Sequence, residues 1–149
     1  MKTYSLFSCI KKLMKQRGGA AGVKLFFPNL IRGIKLTGPN QLWAVDLTYI
    51  KLVREYVYSN AIIDVYTRKI VGWAISRDLS HKFCLQALDL AVKKYNPPEG
   101  IIHHSDRGVQ YACIDYIEYL NKNKFQISQS RIATPEDNAF IESFFKTLK

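Results

Sequence analysis

Asp46 is the residue of this sequence that is hardest to accommodate. It sits in the middle of Trp43-Ala44-Val45-Asp46-Leu47-Thr48-Tyr49-Ile50, a run of strand-forming residues in which either face of the pleat is apolar. An unpaired carboxylate in such a place costs several kcal/mol, so the fold has to bring something that neutralises it. Two partners are open: a buried ion pair, with Arg107 as the candidate, or a metal ion. A second stretch has the same character. Residues 101–108, Ile-Ile-His-His-Ser-Asp-Arg-Gly, begin as a buried strand and turn abruptly polar. A short apolar run that ends in Asp and Gly is expected near the centre of an α/β sheet, where the carboxyl end of the strand opens at a cleft.

The elements around these two runs follow from propensity and turn chemistry. Residues 43–52, 56–64 and 69–76 are rich in β-formers and separated by short polar stretches, which predicts three antiparallel strands. Ser80 is placed to start a helix running to about Tyr95, with Leu85, Leu88, Ala91 and Val92 at helical spacing, and Pro97-Pro98 prevents its continuation. A strand over 101–104, a helix over 115–123, a short strand over 125–127 and a last helix from Pro135 complete an α/β sandwich. Its mixed central sheet has a three-stranded antiparallel part flanked by helices. With 149 residues, 48% of them hydrophobic, the chain is expected to build one core.

The last helix has the strongest start signal. Thr134 is a natural N-cap, Pro135 occupies the first helical position and Asp137 falls three residues after the cap. At about 100° per residue, Ile141, Phe144, Phe145 and Leu148 form an apolar stripe, and Asn138, Glu142, Lys146 and Lys149 a polar stripe beside it. Glu142 therefore stands at the edge of the buried face. Taken alone, it is explained by solvation or by an i,i+4 pair with Lys146. With Asp46 and Asp106 it makes three carboxylates from three elements, a set suited to two magnesium or manganese ions. Mg²⁺ takes hard oxygen ligands and keeps positions open for phosphate oxygens, and a pair of such ions supports in-line phosphoryl displacement without a covalent enzyme intermediate.

Charge points to the partner. The net charge of +10 is concentrated in residues 1–40, where every charged residue is Lys or Arg, and the remainder is close to neutral. A basic arm ahead of a nearly neutral domain suits a polyanion, DNA or RNA before membrane, and a solvated tail is the plain alternative. Residues 8–16 are compatible with a short basic helix ending at Gly18-Gly19, and residues 20–36 show no sustained period and are expected to be a linker. The division into arm and domain is expected at about residues 37 and 38. Cys9, Cys84 and Cys113 have neither disulfide nor metal spacing and are expected as reduced thiols of a cytoplasmic protein. No stretch has the composition of a signal peptide or a membrane span.

Plain explanations cover several other residues. His103 and His104 are adjacent in a strand and face opposite ways, so a shared zinc site is disfavoured, and one of them is expected to orient Asp106 or a phosphate. Asp64 ends the second predicted strand and is expected to hold the turn at Tyr66-Thr67-Arg68. Asn138 is equally explained by helix-end capping or by DNA contact. Trp43, Trp73 and the tyrosines are expected mostly in packing. Residues 129–133, Gln-Ser-Arg-Ile-Ala, are expected to be able to clamp a substrate.

Three ordered motifs resemble the integrase-type catalytic core of bacterial insertion-sequence transposases, the insertion-sequence-three type most of all. They are Trp43 to Ile50; His103-His104-Ser105-Asp106-Arg107-Gly108-Val109-Gln110-Tyr111; and Asp137-Asn138-Ala139-Phe140-Ile141-Glu142-Ser143-Phe144-Phe145-Lys146-Thr147-Leu148-Lys149. Thirty-five residues separate Asp106 from Glu142, the spacing by which this Asp-Asp-35-Glu group is described. The resemblance covers about residues 38–149. It implies a ribonuclease-H-like fold, two Mg²⁺ or Mn²⁺ ions held by Asp46, Asp106 and Glu142, DNA cleavage with strand transfer, and self-association on DNA. Lys146 and Lys149 fall where such a core approaches DNA, and Asn138, Arg107 and Arg131 are further candidate DNA contacts. Ile10-Lys11-Lys12-Leu13-Met14-Lys15 resembles only the end of the last helix of a helix-turn-helix domain. The third motif closes at Lys149, so a core truncated at its carboxyl end is expected. The alternatives are an inactive remnant that binds DNA or interferes with full-length transposase, and a nuclease of the ribonuclease H type.

Overall fold

Alternation along the first strand decides how the sheet is built. In a computed structural model that describes residues 26–130, β1 (Leu42–Lys51) sends Trp43, Val45 and Leu47 to one face and Ala44 and Asp46 to the other. It pairs antiparallel with β2 (Tyr56–Asp64), with Asp46 opposite Ala61 and Leu47 opposite Asn60. β2 in turn pairs antiparallel with β3 (Lys69–Ser76) through a register shift at Ile62/Ile63. The β2–β3 turn is held by Asp64, whose Oδ1 accepts the Thr67 N–H at 2.8 Å while its carbonyl accepts the Arg68 N–H at 2.7 Å. That is the role expected of Asp64, and it also ties back to the Asn40 N–H through Oδ2.

Helix α1 (His81–Tyr95) follows, and Ser80 stands at its N-cap without a side-chain bond to the helix. It ends at Asn96, left-handed at φ 41°, whose N–H returns to the Val92 carbonyl, and Pro97 and Pro98 come next. Its buried face, Phe83, Cys84, Ala87, Leu88 and Ala91, lies on the Trp43 face of the sheet. Gly72 makes this approach possible. A Cβ at that position would lie 2.3 Å from the Ala87 carbonyl oxygen.

β4 (Ile102–Ser105) then enters beside β1 and parallel to it, and α2 (Ile114–Lys122) leads to β5 (Gln126–Gln129), parallel to β4. The sheet order is β3-β2-β1-β4-β5, the mixed sheet with a three-stranded antiparallel part that the sequence predicts. Its core joins Trp43, Val45, Ile62, Phe83, Leu88, Tyr116 and Leu120 beneath the helices, and Ala44, Ala61 and Ile63 form a second, smaller apolar cluster. The predicted basic helix at 8–16, the predicted helix from Pro135 and the site candidates Arg131, Asn138, Glu142, Lys146 and Lys149 lie outside the described residues.

Candidate active site

The parallel pairing of β1 with β4 aligns the two polar intrusions of the sequence. Leu42 pairs with Ile102, Trp43 with His103 and Ala44 with His104. The pairing ends there: Asp46 lies two residues further along β1, and Asp106 is the first residue beyond β4, two after His104. Both carboxylates are half-buried. Asp46 Oδ1 accepts the Leu47 N–H at 2.8 Å. Asp106 Oδ1 accepts the Gly108 N–H at 2.8 Å, the side-chain-to-backbone bond of an Asx turn, which holds the carboxylate as the chain leaves β4.

Gly108 belongs to this geometry, and sequence reasoning assigned it no role beyond closing the strand. A Cβ there would lie 2.8 Å from Asp106 Oδ1 and 3.0 Å from Gln110 Oε1. The signal was present in the Asp-x-Gly spacing, since a residue two after an Asx-turn aspartate meets its carboxylate.

A buried hydroxyl lies behind the pair. Tyr111 donates to Asn60 Oδ1 at 2.7 Å, and its ionisation is pushed well above the usual range, first by burial and then by nearby ionisable groups that include Asp46 and Asp106. The Cys84 thiol is pushed up to about 12, chiefly by burial, with Cys113 and Asp106 adding to it. A thiol held protonated in this way is no nucleophile at neutral pH.

The two histidines separate as strand neighbours must. His103 turns to the helix side, where Nε2 meets the Tyr116 hydroxyl at 2.9 Å. Burial, then the neighbouring His104, lowers its pKa to about 3, so it is neutral. His104 turns to the Ala44 face, with Nδ1 at 2.8 Å from Ser128 Oγ and Nε2 at 3.1 Å from Ser130 Oγ. Both of its ring nitrogens thus serve the end of β5. Ser130 falls in the stretch 129–133 that the sequence analysis singles out, whereas Ser128, the other partner of His104, carries no signal in the sequence. Arg107, a candidate partner for Asp46, directs Nε to the Ser130 carbonyl at 2.9 Å and sets its guanidinium over the Phe26 ring.

The donor chemistry fits a hard divalent cation in part: two carboxylates at the mouth of adjacent parallel strands, beside backbone N–H groups. Among the described residues no third His, Cys, Asp or Glu joins them to make a three-ligand cluster.

The model of the integrase core domain family matches residues 37–135. The chain belongs to the integrase core domain family. The transposase of insertion sequence element IS904 from Lactococcus lactis is 43% identical over 129 residues, 86% of this chain and 51% of that protein. An uncharacterized 31 kDa protein of insertion element IS600 from Shigella sonnei is 41% identical, over 82% of this chain and 45% of its own length. Transposase InsF of IS3A from Escherichia coli K12 is 36% identical, over 76% and 39%. The chain spans about half, or less, of the length of these curated relatives. Two solved integrase structures share the fold. A simian T-cell lymphotropic virus intasome, in complex with PP2A regulatory subunit B56 gamma, superposes with a TM-score of 0.66 at 15% identity, over 72% of this chain and 38% of that one. The HTLV-2 integrase catalytic core domain, in complex with magnesium, gives 0.60 at 14% identity, over 72% and 66%. The integrase core of this chain therefore has the ribonuclease-H-like fold.

Proposed function

We propose that this integrase core cleaves DNA and transfers the freed strand, with Asp46, Asp106 and Glu142 as the carboxylates that hold two Mg²⁺ or Mn²⁺ ions. The observation that supports this reading is the parallel β1–β4 register, which sets the strand that carries Asp46 beside the strand that leads into Asp106, sixty residues on in sequence. When bound, such ions activate the attacking oxygen and stabilise the leaving one. The Leu47 and Gly108 N–H groups hold the two aspartates in place for this. Lys146, Lys149, Asn138, Arg107 and Arg131 are the DNA contacts of this reading, the lysines four and seven residues beyond Glu142 in sequence.

In the first step a water oxygen bonds to phosphorus and the bond to the bridging 3′ oxygen breaks, leaving a 3′ hydroxyl and a 5′ phosphate. In the second, that 3′ oxygen attacks a phosphodiester of the target, releasing a new 3′ hydroxyl there. Assembly of more than one copy on DNA accompanies this reading, as element ends must be held together.

The test is nicking and strand transfer by the purified chain on labelled oligonucleotides with Mg²⁺ or Mn²⁺. Asp106→Asn and Glu142→Gln should each lower nicking by at least about 10²-fold, an effect of the size expected when transition-state charge stabilisation is lost. Unchanged nicking by Asp106→Asn sinks the assignment. Cleavage confined to an RNA–DNA hybrid would point to a ribonuclease, and DNA binding without nicking in a cooperatively melting protein to a binding module.

A further inference from the structure

The pairing of β1 with β4 stops at Ala44 and His104, so no strand bond with β1 fixes Asp106, which lies just beyond β4. A second route joins the two acids. Asp106 Oδ1 accepts the Gly108 N–H, and the Gly108 carbonyl accepts the Tyr111 N–H at 3.1 Å. A Cβ on Gly108 would lie 3.4 Å from Tyr111 Cδ2, so the turn and the ring are packed against each other. The Tyr111 hydroxyl in turn donates to Asn60 Oδ1 at 2.7 Å. Asn60 stands opposite Leu47 in the β1–β2 register, and Leu47 gives its N–H to Asp46 Oδ1. Asp46 and Asp106 are both among the groups whose charge acts on the Tyr111 hydroxyl, which places it within electrostatic reach of each.

Packing does not account for the Tyr111–Asn60 bond. Asn60 is fully buried, and its neighbours on the same face of the sheet, Leu47, Ala74, Tyr58 and Ile62, all pack in the main core. Its Nδ2 has no acceptor among the described residues. A buried donor without a partner costs stability, and two apolar groups of the same shape would serve such a core as well or better. What the polar pair adds is direction. Burial above all keeps the Tyr111 hydroxyl protonated, so it stays a donor, and a hydrogen bond sets a distance and an angle that apolar contact leaves loose.

We propose that Tyr111 and Asn60 are positioning residues for the carboxylates: their hydrogen bond pins the turn 106–111 to β2, and through β2 to β1, and so sets where Asp106 stands relative to Asp46. The ion that this placement serves rests on the function proposed above.

The experiment uses the full chain, with Mn²⁺ as the probe in calorimetry and thermal melting beside it, on Tyr111→Phe, Asn60→Leu, the double variant and Ile62→Val. Tyr111→Phe removes one oxygen and should weaken Mn²⁺ binding about tenfold, the effect of losing a group that orients a metal ligand. Asn60→Leu should match it, and the double variant should be no weaker than either, because both break the same bond. Stability should move differently. The double variant leaves no polar atom of this pair unpaired, so it should melt above Tyr111→Phe without regaining Mn²⁺ affinity. Ile62→Val, on the same face, should lower the melting temperature and leave Mn²⁺ affinity in place.

Parent-like affinity in Tyr111→Phe overturns the proposal. So does affinity that recovers together with melting temperature in the double variant, the behaviour of a bond that is only structural. If Tyr111→Phe fails to melt cooperatively, the double variant decides by its Mn²⁺ affinity. A parent chain that binds Mn²⁺ but does not nick DNA defeats the function proposed above and leaves the Mn²⁺ comparison to decide the role of Tyr111. A parent whose Mn²⁺ binding is absent, or survives Asp106→Asn, defeats both.

Discussion

The two faces of the sheet are made by the same strands and differ in almost every respect. The helix-covered face takes Trp43, Val45 and Ile62 and seals them under Phe83, Leu88 and Tyr116, with Trp43 fully buried. Among the described residues, the opposite face has the small buried cluster of Ala44, Ala61 and Ile63. Beside that cluster it carries Asp46, His104 and the serines that His104 engages. One face is filled with volume and the other with hydrogen-bonding groups. A period of two therefore separates stability from chemistry within single strands, and each can be altered with limited cost to the other.

The largest test of that separation sets the two tryptophans against each other. Trp43→Ala should lower stability by about 3–5 kcal/mol in urea unfolding, because it empties a closed core. Trp73 lies opposite Ala61 on the β2–β3 ladder, so it shares the acid-bearing face, and it is 60% exposed. Trp73→Ser should stay within about 0.5 kcal/mol of the parent. Comparable losses from both would mean that the second face is as structural as the first.

A smaller effect concerns His103. Its folded-state pKa is about 3, whereas an unfolded histidine titrates near 6.5. Between those values the unfolded chain binds the extra proton, so this residue's contribution is complete above about pH 6.5 and is lost as pH falls toward 3. His103→Gln should therefore flatten the decline of melting temperature between pH 6.5 and 4. An unchanged slope would assign the acid sensitivity to other groups.

The smallest effect on stability is expected at Gly108. Gly108→Ala should melt within about 1 kcal/mol of the parent, since the site is half-buried. The new methyl would displace Asp106, so Mn²⁺ affinity, followed by calorimetry, should fall by roughly tenfold to a hundredfold. Unaltered affinity would mean that the Asp106 carboxylate is not held by the packing around it.

Local rules made much of this fold legible. The antiparallel strands follow from β-formers separated by turn residues, and Asp64 holds its turn because its carboxylate reaches the N–H three residues on. Helix α1 ends where Asn96, Pro97 and Pro98 end it. The opposed directions of His103 and His104 follow from strand alternation alone, but their partners do not: Tyr116, Ser128 and Ser130 are brought to them by pairings that no local pattern encodes. The same is true of residues 26–30, which lie along β5: their hydrogen bonds to β5 are made by backbone groups, to the side chains of Ser128 and Gln129 and in one carbonyl–amide bond, and a backbone contact leaves no mark in hydropathy. The two tryptophans were both expected to pack. Trp73 does so only partly, because β3 is an edge strand and its outer face has no covering helix among the described residues.

The position of β4 also has a consequence for the order in which the molecule is made. A ribosome delivers β1, β2, β3 and α1 as one continuous stretch whose contacts are local, and these can associate early. During that time the edge of β1 that will receive β4 stays open, because Ile102, the partner of Leu42, is still to be synthesised. Residues 26–30 wait longer, for Ser128 and Gln129, about a hundred residues after their own translation. The strands that lead to Asp46 and Asp106 thus pair only after β4 has been made, and a nascent chain carries an unpaired strand edge until they do.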